Sequence, residues 1–235
     1  MKGKKYRDAL TRYDRNQLHS VAEALELVKS LAPAGFDETV ELVVRLGVDP
    51  RKPDQALRGT VPLPSGSGRD VRVAVFAEGE AAIAARDAGA DIVGSDDLAA
   101  RVEAGDMAFD VLIATPDQMP KLGKLGRVLG PRGLMPNPKT GTVTDDVATA
   151  VGDFKGGKVE YRTDRQGNVH VPVGKVSFTA DDLLRNTSAV LDELQRVKPA
   201  ASKGRYLKKV SVSSTMGPGV RIDPSKIAEE AVAGS

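Results

Sequence analysis

The chain is 235 residues long and 40% apolar, has no cysteine, and carries a formal net charge of only +2. That length suits two domains of roughly 100–150 residues each, with enough apolar material for packed cores. The lack of cysteine excludes disulfide staples and thiolate metal sites and fits a reducing cytoplasm; no run approaches the ~20 apolar residues of a membrane helix, and no apolar stretch follows the basic start Met1–Leu10 to act as a secretory signal.

In chain order, Ser20 and Glu23 make a capping box. Val21, Leu25, Val28 and Leu31 then recur at helical spacing. This predicts a helix over about 20–31, stopped by Pro33 and Gly35. Val40, Leu42, Val44, Leu46 and Val48 alternate with Thr39, Glu41, Val43, Arg45 and Gly47. A period of two means a strand with one buried face, as in an antiparallel sheet. Residues 50–68 hold four prolines and then Ser65-Gly66-Ser67-Gly68, a composition that breaks regular structure and marks a boundary.

Beyond it the pattern changes. Val71–Ala77 and Val111–Ala114 are near-continuous apolar runs, and Ala90–Val93 is a shorter one. Alanine-rich helical segments lie between them at about 79–88 and 95–104, the second with Ser95 as its expected cap, and a further helix is expected from near Thr144 to Gly156-Gly157. Strands alternating with helices predict a parallel sheet covered on both faces. The first style then returns. Val159–Arg162 and Val169–Val176 read as strands joined by 164–168, a hairpin loop by composition. Thr179 caps a helix running through Val197, and Val210 and Val212 lie in a strand ending at Thr215-Met216-Gly217-Pro218-Gly219. The tail after about Pro224 looks frayed. One α+β domain built from both chain ends, with an α/β domain inserted at about 67–158, accounts for all of this, and its two crossings would form a hinge.

The charge follows the same division. Residues 1–65 hold 11 basic and 9 acidic side chains, 66–158 hold 11 and 14, and 159–235 hold 12 and 9. A basic body with an acidic insert suits a polyanion partner for the body.

Catalytic chemistry finds little support. The turn after Val71–Ala77 reads Glu78-Gly79-Glu80 and sets two carboxylates where a dinucleotide fold needs glycines and a phosphate. The stretch 123–133, GKLGRVLGPRG, lacks the order of a phosphate-binding loop. The two histidines, His19 and His170, show no zinc spacing, and no GxSxG elbow occurs. The pairs Asp96-Asp97, Asp145-Asp146 and Asp181-Asp182 fall in first turns of predicted helices, where carboxylates complement the dipole. The expectation is a protein without catalysis, cofactor, metal or small-molecule substrate.

Three basic segments stand out: Met1–Arg15, Arg196–Lys209 and Lys121–Lys139. The third carries Lys121, Lys124, Arg127, Arg132 and Lys139 with no acid, and its glycines and prolines predict a long surface loop. Aromatics are 4% with no tryptophan, so extensive base stacking is not expected. RNA shape, sugars and phosphates are the better targets. Ser211, Ser213 and Thr215 offer hydroxyls at alternate positions of one strand, and Gly217 would let backbone come close.

The run LGRVLGPRGLMPNPKTGTV at 125–143 resembles the signature of the bacterial large-subunit ribosomal protein L-one family, and FDETVE at 36–41, VPLP at 61–64 and SSTMGP at 213–218 extend the likeness over nearly the whole chain. The resemblance implies a split α+β domain (1–66 plus 159–235) that binds large-subunit ribosomal RNA, and a Rossmann-like α/β insert (67–158). It implies RNA contacts by Phe36, Thr39, Glu41, His170, Lys175, Ser211, Ser213, Thr215, Met216 and Gly217. It further implies a cytoplasmic, ribosome-bound protein of the mobile side stalk, which follows deacylated tRNA at the exit site and represses translation of its own operon messenger RNA. The basic segment 121–139 is expected to face tRNA or to pack between domains. One departure is visible: Ser65, Ser67 and Arg69 stand where similar proteins carry His, Thr and Lys.

Overall fold

The computed structural model describes residues 3–227. The tail expected to fray past Pro224 is instead helical over 224–227, because Ile227 packs into the core, and the rest of it lies outside the described residues. The chain forms two compact units: the two ends, up to Gly68 and from Val159, make one, and Arg69–Lys158 makes the other. No helix among the described residues is long and apolar enough to cross a membrane.

The two-ended unit starts with α1 (Lys4–Thr11), α2 (Val21–Leu31), β1 (Thr39–Leu46) and β2 (Arg58–Pro62). The capping box forms: the Ser20 hydroxyl accepts from Glu23 N, and the Glu23 carboxylate accepts from Ser20 N. α1 and β2 were not foreseen. α1 has too few apolar residues for a clear period, with Ala9 alone buried. β2 arises inside the proline-rich stretch because Val61 and Leu63 reach the common core.

The inserted unit holds β3 (Val73–Phe76), α3 (Gly79–Asp87), β4 (Ile92–Gly94), α4 (Asp96–Glu103), β5 (Val111–Ala114), α5 (Met119–Lys124), α6 (Gly126–Leu129) and α7 (Val147–Lys155). Its sheet is parallel with order β4-β3-β5. Ala74, Phe76 and Leu112 pack against Leu98, Val102, Leu122, Leu125 and Leu129 on one side. Val73, Val75 and Ile113 pack against Ala85, Val147, Val151 and Phe154 on the other. That two-sided burial is why its strands read as continuous apolar runs. Ser95 does not cap α4. Its hydroxyl donates to Glu78 Oε1 (2.6 Å), while its own N–H is taken by Asp97 Oδ1 (2.9 Å). α7 is capped by Asp146, which accepts from Thr149 N.

The chain then completes the first unit with β6 (Lys158–Arg162), β7 (Asn168–Lys175), α8 (Ala180–Arg196), β8 (Leu207–Ser214) and β9 (Val220–Ile222). The main sheet has the order β7-β1-β8-β9, antiparallel throughout, and β2 pairs with β6 in a separate ribbon. β6 and β7 therefore join different sheets and do not form the expected hairpin, because β6 pairs with β2 and β7 with β1 instead. Only one bridge, Thr163 to Val169, links their ends across the 164–168 turn. One face of the main sheet, with Val40, Leu42, Val44, Val171, Val173, Val210 and Val212, packs against Leu25 and Val28 of α2 and Leu183, Val190 and Leu194 of α8. Among the described residues no helix of this unit contributes to a core on the other face.

Candidate RNA-binding face

The open face of the main sheet is set by period-two alternation along β1: Val40, Leu42, Val44 and Leu46 point inward, while Thr39, Glu41, Val43 and Arg45 point outward. Directly opposed residues share a face, so the register assembles the rest. Glu41 stands between Pro172 and Ser213, and Val43 between His170 and Ser211, beyond which lies Arg221. Arg45 stands between Asn168 and Lys209. Thr39, Glu41, His170, Lys175, Ser211 and Ser213, separate in sequence, thus share one surface.

At the Thr39 end the face closes in a hydrogen-bonded rim. Lys175 Nζ donates to Thr39 Oγ1 (2.9 Å), Thr39 N donates to Thr215 Oγ1 (3.0 Å), and the Thr215 hydroxyl donates to Thr39 O (3.3 Å). Lys175 reaches this position through a bulge: Val40 pairs with Gly174 but Glu41 with Pro172, so Val173 is the extra residue. Gly174 adopts φ +150°, and an added Cβ would lie 2.8 Å from both Leu183 Cδ2 and Phe178 Cδ2.

Two apolar side chains flank the rim and remain largely in solvent: Phe36 is 58% exposed and Met216 57%. Leaving each out of a core forgoes about 1.5–3 kcal/mol, so their placement must be held by neighbours. Glu38 does so, and composition gave no sign of it. It is 1% exposed. Its Oε1 accepts from Ala34 N (2.7 Å) and its Oε2 from Met216 N (2.8 Å), tying the Phe36 loop to the Met216 turn. Burial pushes this carboxyl up, but the N–H groups of Met216 and Ala34 and the nearby Ser214 hydroxyl outweigh it, so it titrates below the usual glutamate range. Asp37 secures the same loop from the other side, accepting from Ser177 N (3.0 Å) and Ser177 Oγ (2.7 Å), bonds that hold its carboxyl low. Gly217 is closely packed from within: an added Cβ would force the Ser214 hydroxyl to move.

Asn186 is a second residue that sequence reasoning passed over. It is fully buried on α8, accepts from Ser65 N (2.9 Å), and donates to Gly66 O (2.9 Å) and Val173 O (2.8 Å). It fixes the segment carrying the departure at Ser65, whose hydroxyl donates to Asp182 Oδ1 (3.1 Å).

The basic segment 121–139 is not a long loop. It contains α5 and α6 and a further 3-10 turn, Pro138–Thr140, because Leu122, Leu125 and Leu129 recur at helical spacing and are buried. Lys121 is tied within its own unit, donating to Glu78 Oε1 (2.9 Å) and Ser95 Oγ (2.8 Å) and pairing with Asp96 Oδ1 (2.8 Å). Those contacts, with Asp96 first and Glu78 next, raise its pKa. Lys124, Arg127, Arg132 and Lys139 are exposed and pair with no carboxylate among the described residues.

Beside β3 and β5 a cleft of about 500 Å³ is lined by Glu78, Glu80, Thr115, Asp117 and Asp145. Its carboxylates repel phosphate, in keeping with the absence of a glycine fingerprint. No group of His and carboxylates that could hold a metal ion occurs among the described residues.

The sequence model of the ribosomal protein L1p/L10e family matches residues 28–218. Proteins called large ribosomal subunit protein uL1 are similar over almost the entire chain. The one from Cutibacterium acnes is 62% identical over 223 residues, covering 95% of this chain and 96% of its own. That from Thermobifida fusca is 57% identical over 232 residues, covering 99% of both. The family match takes in β1, the bulge in β7 and the Thr215–Gly217 turn, that is, the elements that make the open face and its rim, and the chain belongs to the ribosomal protein L1p/L10e family.

Proposed function

We propose that this protein is a structural constituent of the large ribosomal subunit, and that the open face of the two-ended unit binds large-subunit ribosomal RNA. The observation that carries the reading is the rim: two exposed apolar side chains, Phe36 and Met216, fixed by a buried carboxylate beside a row of hydroxyls and Lys175. Apolar contact can pack on sugars and unstacked bases, hydroxyls and Lys175 can reach 2′-hydroxyls and phosphates, and Glu41 and His170 add polar contacts along the sheet. Bound in this way, the protein and its RNA form the mobile side stalk and assist movement and release of deacylated tRNA at the exit site, in the cytoplasm. The exposed Lys124, Arg127, Arg132 and Lys139 of the inserted unit supply charge for that tRNA encounter. The same face recognises a similar fold in the protein's own operon messenger RNA and represses its translation.

The test is binding of the purified protein to the stalk fragment of large-subunit RNA and to a scrambled RNA of equal length, at two salt concentrations. Selective binding that persists at the higher salt supports the reading; equal binding that vanishes with salt refutes it. Met216→Asp sets a charge against the RNA and should abolish selectivity in a folded protein. Charge reversal at Arg127 and Arg132 should leave stalk RNA binding intact and weaken the response to tRNA.

A further inference from the structure

At the end of the open face opposite the rim, three cations meet. Arg45 on β1 lies directly opposite Lys209 on β8, and Arg221 on β9 is opposite Ser211, which places it diagonal to Lys209. All three are exposed. Directly opposed residues have Cβ atoms about 4.5–5.5 Å apart and diagonal ones about 7–8 Å, so the three charges form a row across adjacent strands. Glu41 is four residues along β1 from Arg45, about 13 Å away. Asp164, at the β7 edge, is engaged in its own turn, accepting from Gln166 N, Asn168 N and Asn168 Nδ2.

Like charges directly opposite in a sheet are destabilising. In the β2–β6 ribbon the cation is neutralised instead: Arg58 of β2 pairs with Glu160 of β6. Among the described residues Arg45, Lys209 and Arg221 pair with no carboxylate. A row of same-sign charges on an open, otherwise polar sheet is a cost to the free protein that a polyanion would remove.

We infer that Arg45, Lys209 and Arg221 form a phosphate-binding row that takes consecutive phosphodiesters of the RNA bound at the rim, extending the contact along the whole open face. This rests on the RNA-binding reading above. The row carries little base information. It sets the register of the RNA on the sheet, while the rim reads shape and sugars.

The experiment measures affinity of the full chain for the stalk RNA fragment across a fourfold range of salt, together with the thermal midpoint. Variants are Arg45→Gln/Lys209→Gln/Arg221→Gln and the single Lys209→Glu. Each lost phosphate contact should lower the slope of log affinity against log salt by about 0.7–0.9. Over fourfold salt the wild type should therefore lose about 20- to 40-fold more affinity than the triple variant. Lys209→Glu sets a carboxylate opposite Arg45, so its midpoint should rise while its RNA affinity falls. A merely structural role moves both in one direction. Selective wild-type binding with unchanged affinity and slope in the triple variant overturns the row and leaves the RNA-binding reading standing. A wild type that does not distinguish stalk from scrambled RNA overturns both.

Discussion

Replacing Glu38 by Gln tests how the rim is held. In the native protein a nearly fully buried carboxylate accepts from two backbone N–H groups, of Ala34 and Met216. Hydrogen bonds to a charged group contribute about 1.5–3 kcal/mol each. The amide keeps one acceptor oxygen but turns an NH2 toward the other N–H, so one bond is lost and the survivor loses its charge assistance. We expect a loss of about 2–4 kcal/mol, or roughly 4–16 °C in the unfolding midpoint for a unit of this size. The readout is convenient, because Tyr6, Tyr13, Tyr161 and Tyr206 all lie in the two-ended unit and the chain has no tryptophan. Tyrosine fluorescence therefore follows that unit alone. The pH dependence gives a second check. The folded carboxyl titrates below its ordinary value, so its contribution is present above the unfolded pKa, about 4.3. It is lost as pH falls through the folded value. Glu38→Gln should remove that acid-side component and flatten stability against pH there. RNA affinity should fall too, since Phe36 and Met216 lose their fixed separation. A variant with the wild-type midpoint and an unchanged acid limb would refute the clamp.

Gly174→Ala should destabilise the two-ended unit by about 2–3 kcal/mol, because its Cβ meets Leu183 and Phe178 at a positive φ; urea unfolding followed by tyrosine fluorescence measures it, and a neutral result would show that the bulge tolerates a side chain. Asn186→Ala leaves Ser65 N, Gly66 O and Val173 O without their partner and should cost about 3 kcal/mol in the same assay; a loss under 1 kcal/mol would mean other groups replace it. Burial pushes the Tyr206 phenol up to about 12 and Tyr161 higher, where Glu193 adds to burial. The stability these two contribute is full below about pH 10 and lost as pH rises through the folded values, so the difference between spectrophotometric titrations of the wild type and of Tyr161→Phe/Tyr206→Phe should show these two phenols ionising only with unfolding, and a reversible difference signal near pH 10 in the folded protein would contradict this. Lys121→Ala should speed hydrogen exchange at the starts of α3 and α4, where its partners Glu78 and Asp96 sit, and leave stalk RNA affinity unchanged; the reverse pattern would return Lys121 to the RNA-facing set.

The elements legible in the sequence are those whose burial leaves a local pattern, one-sided and periodic as in β1 or continuous as in β3 and β5. The alternation in β1, the capping box before α2 and Thr179 before α8 each encode their element locally. What escaped was set by tertiary partners. β2 exists because it can pair with β6, roughly 100 residues later, and its prolines hid it. α5 and α6 were obscured by glycine and basic residues, although Leu122, Leu125 and Leu129 carried a helical period that a composition reading of the loop ignored. The hydroxyl face of β8 was readable as alternation, and the likeness of FDETVE and SSTMGP to a known family brought the rim residues together. Glu38 stood inside that motif, yet one buried carboxylate among 32 acidic residues has no local mark. Its role appears only when the Phe36 loop and the Met216 turn, 180 residues apart in sequence, meet in space.

The same contrast explains how the face is stabilised. Its working residues weaken the free protein: Phe36 and Met216 stay in water, and Arg45 opposes Lys209. Its anchoring residues lie behind or beside it and satisfy backbone groups: Glu38 for Ala34 and Met216, Asn186 for Ser65, Gly66 and Val173. A surface made this way is ordered before its partner arrives, so little conformational entropy is lost on binding at the rim. It follows that mutations in the two classes should separate. Changes to Met216 or Lys209 should reduce RNA affinity at unchanged or higher stability, while changes to Glu38 or Asn186 should lower both together. A face whose anchors could be removed with no effect on affinity would instead be assembled by the RNA itself.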